Sequence, residues 1–338
     1  MNTIRILSET LASQIAAGEV VDRPASVVRE LTDNSIDAGA DRIVVTIENG
    51  GKRRIRVSDN GLGMSKDDLL LCVERHATSK IRTASDLLSV RSLGFRGEAL
   101  PSIAAVSRIQ ITSLPQGRLT GHSLRISGGK LLEIKETGAP PGTIVDVKDL
   151  FFNIPARRKF LRAVRTETDH IVDSLSRIAM PFPGITFRLD DGTRNVIHLP
   201  ASEDTRDRIS GLMGRKTAEA MVTGEEKEGD LAIRVYAAPP DFARSRGDRL
   251  YVYVNCRNIR DRLVTKAIME GYGRRLMKGQ YPQVVLFIDI DPLEIDVNVH
   301  PTKQEIRFRN ASRIFQAIVS AVGKSLDSSP QPLSLIHI

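Results

Sequence analysis

Apolar and polar positions along the chain recur with two different periods, and the switches between them mark out the elements. Over residues 24–39, Val27, Val28, Leu31 and Ser35 fall on one face at helical spacing, with Pro24 suited to the first helical position and Gly39 to the stop. Residues 42–48 read as a strand, 49–51 as a turn, and the alternation over 54–59 as the returning strand of a hairpin. Helical patterns follow near 66–76, 84–90 and 98–106, and strands near 107–114, 121–126, 131–136 and 143–147. Residues 155–178 read as one long helix. Beyond it the pattern predicts strands near 185–190, 231–237, 250–255 and 284–290, and helices near 204–213, 262–278 and 311–325.

Helices mixed with mostly hairpin-linked strands in this order predict the α+β class. A length of 338 residues suits two domains. The expected division is a sandwich of one sheet and one helical layer over 1–205, a smaller α/β domain over 206–328, and the start of a linker near 329. The last six residues, Leu333 to Ile338, continue no pattern and match one translation of a common sequencing adapter, so they are read as foreign to the native frame.

Composition narrows the partners. No run approaches the roughly 18 apolar residues of a membrane span, and the first residues lack the apolar stretch of a signal peptide. Cys72 and Cys256 lie far apart without metal-ligand spacing, which fits a reduced compartment. A cytoplasmic protein without membrane contact is expected. The formal charge of +8 is clustered: residues 241–280 hold ten Lys/Arg against four Asp/Glu, and residues 151–165 hold five basic residues and no acidic one. Segregated positive charge points to a polyanion; a solvated basic surface is the plainer alternative.

The densest chemistry lies in the first helix. Glu30 and Asn34 are one helical turn apart and share a face, with Asp37 close to the same line. A carboxylate can take a proton from water, and a neutral amide oxygen suits magnesium, so the pair suggests binding and slow hydrolysis of a nucleoside triphosphate. A polar helix face turned to water reads equally well from this segment alone. Asp59, at a strand end before Gly61 and Gly63, can accept from the exocyclic amine of a purine, or it can simply open a turn. The run Gly94, Phe95, Arg96, Gly97, Glu98, Ala99 and Leu100 places two glycines before an apolar helix, a phosphate cradle without a Walker pattern. Lys80 can reach phosphate from the polar stretch 75–80 or stand as a solvated loop lysine, and the Thr143 hydroxyl can support Asp59 directly or through water, or Gly142-Thr143 simply starts a strand.

The ordered set of segments 14–21, 33–39, 59–63, 75–80 and 94–100 resembles the N-terminal ATPase region of the MutL family of DNA mismatch repair proteins. That family shares a superfamily with gyrase, the ninety-kilodalton heat-shock chaperone and histidine kinases, and the resemblance covers roughly residues 1–330. It implies Glu30 as general base, Asn34 as magnesium ligand, Asp59 as the adenine reader, residues 94–100 as lid and phosphate segment, and ATP with Mg2+ as ligands. The family often has Val-Glu where this chain has Thr32-Asp33, which touches the positioning of Asn34. The segment 150–161 is also characteristic of the family. The resemblance further implies that Lys303 reaches the γ-phosphate from a second domain, which resembles a ribosomal small-subunit protein fold. It implies sequence-independent DNA binding, a homodimer whose N-terminal contact depends on ATP, a mismatch-recognition partner resembling MutS, and association with the nucleoid.

On one long helix, Arg158, Arg162 and Arg165 would sit at i, i+4 and i+7 as a stripe for DNA phosphates, with Arg260 and Arg274 as further contacts. Two rival readings remain at this point. A type II topoisomerase ATPase subunit shares the superfamily, and a nucleotide-binding scaffold that never hydrolyses ATP shares the pocket.

Overall fold

The computed structural model describes residues 15–18, 20–81, 83, 92–94, 97–296 and 306–327. Contacts divide the chain into two compact units, Met1–Thr205 and Arg206–Ile338.

In the first unit, Pro24–Asp37 forms helix α1, opened by Pro24 after an extended Arg23. Its buried face is Val27, Val28, Leu31, Thr32 and Ser35, matching the apolar stripe of the sequence. The strands are β1 (Arg42–Glu48), β2 (Arg54–Asp59), β3 (Arg108–Leu114), β4 (Gly121–Ser127), β5 (Lys130–Thr137), β6 (Gly142–Lys148), β7 (Thr186–Asp190) and β8 (Asn195–Leu199). Among the described residues they make one sheet in the order β5-β4-β3-β6-β2-β1-β7-β8. All neighbours are antiparallel except β1 and β7. Ile43, Val45 and Ile47 of β1 and Ile55 and Val57 of β2 bury completely or nearly so, each contributing roughly 1.5–3 kcal/mol. Because strand side chains alternate, a one-residue slip of β2 would turn that row outward, so burial fixes the register. Helices α2 (Lys66–Leu71), α3 (Ala99–Ala105), α4 (Pro155–Phe160) and α5 (Val164–Ala179) complete the unit, and α1 packs on α5.

The second unit begins with helices α6 (Thr205–Met213) and α7 (Arg215–Ala220). Strands β9 (Val222–Glu228), β10 (Leu231–Ala237), β11 (Leu250–Val254), β12 (Arg257–Ile259) and β13 (Val284–Asp289) form a sheet in the order β12-β11-β13-β10-β9. Helices α8 (Arg262–Tyr272) and α9 (Ala311–Asp327) pack on each other, and α9 packs on β9 and β10. Val264, Ile268, Ile314, Ile318 and Val322 meet Val235, Val252 and Leu286 in its core.

Several expectations are corrected. The long helix over 155–178 is two helices, broken at Leu161, which is extended (φ −65°, ψ 130°), and at Ala163. The broken backbone is satisfied by side chains: Arg162 N–H donates to Glu167 Oε1 at 2.9 Å, and Lys52 donates to the Arg162 carbonyl. Neither partner is visible in a helical periodicity. The helix expected to reach 278 ends at Tyr272, because Gly273 turns left-handed (φ 55°). Strand β9 was not expected, since its charged sequence hides the alternation. Its third residue, Gly224, lets α9 approach so closely that a Cβ would lie 2.6 Å from the Ala321 carbonyl oxygen. Strands β8 and β12 and helix α7 were likewise not expected. The helix expected at 84–90 lies outside the described residues.

Candidate functional site

Two clusters share α1. The first surrounds Asp59 at the end of β2. Ser35, one residue past Asn34 on α1, donates from Oγ to Asp59 Oδ2 at 2.8 Å. Asp59 Oδ1 accepts the N–H groups of Gly61 at 3.0 Å and Thr143 at 3.2 Å. Burial is the largest influence on this carboxyl and lifts it above the usual carboxylate range, against the pull of those three hydrogen bonds. The Asp59–Thr143 pairing follows from the β2/β6 register. Direct support from Thr143 comes through its backbone N–H, while its hydroxyl lies 2.9 Å from Ser113 Oγ. Ser113 also donates to the Gly142 carbonyl and accepts the Met64 N–H at 2.8 Å, tying the β3 end to the glycine turn. Gly63 in that turn has φ 72°, and a Cβ there would lie 2.3 Å from the Leu114 carbonyl oxygen, so only glycine fits.

The second cluster gathers on the next part of α1. Lys80 Nζ donates to Asn34 Oδ1 at 3.0 Å and pairs with the Asp37 carboxylate. Leu93 N–H and Gly94 N–H donate to the two Asp37 oxygens at 3.0 and 3.1 Å. The amides assigned to a phosphate in the sequence thus hold a carboxylate here, which is the same anion chemistry. A Cβ on Gly94 would lie 3.0 Å from Lys80 Nζ, and one on Gly97 would lie 2.5 Å from the Ala77 carbonyl oxygen, so both glycines sit close against the 77–80 stretch. Glu98 precedes α3, which Ala99 and Leu100 begin. Glu30 stands one turn before Asn34, mostly buried, with its Oε1 3.5 Å from Arg29 Nε.

Asn34 Oδ1 and Asp37 Oδ2 converge on one cationic atom, and a pair of hard oxygens aimed at a cation fits magnesium. Among the described residues no cluster of three His, Cys, Asp or Glu makes an all-protein metal cage.

Phe95, Arg96 and Lys303 lie outside the described residues. Arg158 is exposed on α4, Arg162 is exposed in the break, and Arg165 is exposed in the first turn of α5, so the expected stripe on one helix face is not formed. In the second unit, Arg260 is exposed after β12 and Arg274 is exposed in the turn after α8. Three contributors were missed, the first being Ser35, which was read only as part of the inward stripe of α1. Asp37 had been placed near the Glu30–Asn34 line without a role, and its three partners come from distant sequence. Ser113 carried no signal at all, because only strand register sets it beside Thr143.

Comparison with known proteins gives the following. Residues 22–133 match the model of the histidine kinase-, DNA gyrase B- and HSP90-like ATPase family, and residues 209–327 match the C-terminal domain of the DNA mismatch repair protein family. A protein of Citrifermentans bemidjiense named DNA mismatch repair protein MutL is 47% identical over 328 residues, which is 97% of this chain and 50% of that protein. A Geobacter sulfurreducens protein of the same name is 46% identical over 97% of this chain and 54% of its own length. The chain thus spans about half the length of these relatives. Among solved structures, the Aquifex aeolicus MutL ATPase domain complexed with ADP superposes with a TM-score of 0.67 at 25% identity, covering 92% of this chain and all of that one. The N-terminal domain of a DNA repair protein gives a TM-score of 0.79 at 25% identity, covering 94% of this chain and 98% of that one.

Proposed function

The chain belongs to the MutL family of DNA mismatch repair proteins, matching its N-terminal ATPase region, and we propose that it binds and slowly hydrolyses ATP with Mg2+ as a switch for DNA and partner engagement. The observation that carries this reading is the single helix turn Asn34–Ser35, which serves the half-buried Asp59 with one side chain and the Lys80–Gly94 cluster with the next. An ionised carboxylate offers about four lone-pair positions. Three on Asp59 are filled by Ser35, Gly61 and Thr143, which leaves one to accept the adenine amine. Phosphate oxygens take the Leu93 and Gly94 amides in exchange for the Asp37 carboxylate, and Lys80 follows the charge. Asn34 holds the magnesium ion, which when bound neutralises phosphate charge. Glu30 orients the attacking water and accepts its proton. Lys303 senses the γ-phosphate and so links hydrolysis to the second unit.

Nucleotide binding orders the segment from about 73 to 100 and favours an N-terminal homodimer that closes on DNA. Mismatch recognition comes from a partner resembling MutS. DNA is held by charge, through Arg158, Arg162, Arg165, Arg260 and Arg274, with an affinity that falls steeply with salt. The protein works in the cytoplasm at the nucleoid; among the described residues no helix is long and apolar enough to cross a membrane. Steady-state phosphate release tests the core of the reading. Glu30→Ala is expected to lose roughly 10²–10⁴-fold in turnover while still binding ATP; unchanged turnover would remove Glu30 from its role.

A further inference from the structure

We propose that Phe160 is a stacking platform for an unpaired nucleobase, so that α4 grips a single DNA strand by its base as well as by its phosphates. The proposal rests on the DNA-binding reading above and narrows its ligand. Phe160 is 85% exposed, and among the described residues no other phenylalanine is left so open to water. It closes a six-residue helix that buries none of its residues. Leu161, next in the chain, is by contrast partly buried, so the break turns one apolar side chain inward and leaves its neighbour out.

The surroundings say what would cover the ring. Arg158, Lys159, Arg162 and Arg165 are all exposed around it in sequence, and residues 151–165 contain no acidic side chain. The acid that follows, Glu167, is 1% exposed and accepts the Arg162 N–H through Oε1, so it does not stand on the surface among these cations. The mount is firm: Lys52 holds the Arg162 carbonyl, and Gly50 lies close against Val164 and Glu167. A flat apolar ring amid uncompensated cations matches the two faces of a nucleic-acid strand, with phosphates to the cations and a base to the ring. In a duplex each base face is already stacked on its neighbour, so the ring finds a partner only where the strand is unpaired. A second copy of this patch would bring like charges together and is disfavoured.

The chain contains no tryptophan, so Phe160→Trp installs a single indole reporter at the ring. Oligothymidylate is expected to quench its emission, while a duplex of equal length at the same salt leaves it largely unchanged. Phe160→Ala, with an unchanged thermal midpoint, is expected to weaken oligothymidylate binding about 5- to 150-fold and to keep the wild-type slope of log affinity against log salt. Equal quenching by duplex, or wild-type affinity in Phe160→Ala, would overturn stacking and leave the DNA reading intact. A change of emission with protein concentration in the absence of DNA would assign the ring to contact between copies instead. Failure of the wild-type protein to bind either DNA at low salt would remove both proposals together.

Discussion

Asp59 and Arg158 are both charged side chains that stand out in the sequence, yet the fold treats them in opposite ways. Asp59 is drawn beneath the sheet end and receives hydrogen bonds from a helix, a turn and a neighbouring strand. Arg158 stands in water on a helix none of whose residues is buried. Around Asp59 the side chains specify one another. Near Arg158 the backbone of Arg162 is held by Glu167 and Lys52, while the side chains of Arg158, Arg162 and Arg165 are exposed to water. A pocket of the first kind discriminates shape, because each donor left unpaired inside it costs free energy. A surface of the second kind discriminates charge, and salt weakens it.

The contrast can be broken most forcefully at Asp59. In Asp59→Asn, Oδ1 can keep the Gly61 and Thr143 bonds, and the new amide can donate to Ser35 Oγ, whose hydrogen already has the Leu31 carbonyl at 3.1 Å as an alternative acceptor. The acceptor for an adenine amine is lost, so ATP affinity is expected to fall by about 2–3 kcal/mol. Stability should move the other way. Burial holds the carboxyl above its ordinary value, so the folded chain binds that proton more tightly than the unfolded chain does. Stability therefore declines as pH rises through that window, and the cost persists at neutral pH. Calorimetry should show a midpoint for Asp59→Asn at pH 7 no lower than wild type, with the difference vanishing below the carboxylate range. A lower midpoint with unchanged ATP affinity would contradict the account of this pocket.

A smaller effect is expected at the hinge of the basic region. Glu167→Ala removes the acceptor of the Arg162 N–H from a buried position and should cost about 1–3 kcal/mol in denaturant unfolding. If that loss were absent, the break would be held by something other than Glu167. Smallest of all is the exposed charge. Arg158→Glu should leave the unfolding midpoint within about 0.5 kcal/mol of wild type and lower the slope of log DNA affinity against log salt by about 1. An unchanged slope would take Arg158 out of the DNA surface.

The two regions also differ in how far they can be read from the chain. The α1 stripe, the β1/β2 hairpin and the i, i+4 relation of Glu30 to Asn34 follow from local periodicity, and the helix carries them as expected. Gly63 and Gly94 follow from the need for backbone close to a ligand or a neighbour. The basic stripe fails because periodicity cannot see that Arg162 will give up its helical hydrogen bond to Glu167, with Lys52 arriving from a hairpin far upstream. β9 fails because a charged edge strand needs only one face against α9, and there a glycine takes the place of an apolar residue.

Sequence alone therefore determined the helices and strands with clear periods, the family, and the placing of Glu30 and Asn34 one turn apart on α1 and of Asp59 at the end of β2, since these depend on neighbours within a turn or a hairpin. Tertiary structure alone decided that Asp37 accepts the Leu93 and Gly94 amides, that Ser113 joins Thr143, and that the helix after Pro155 breaks before Ala163. Each of these is a hydrogen bond between residues distant in the chain, and its geometry exists only after the sheet has brought its strands into register.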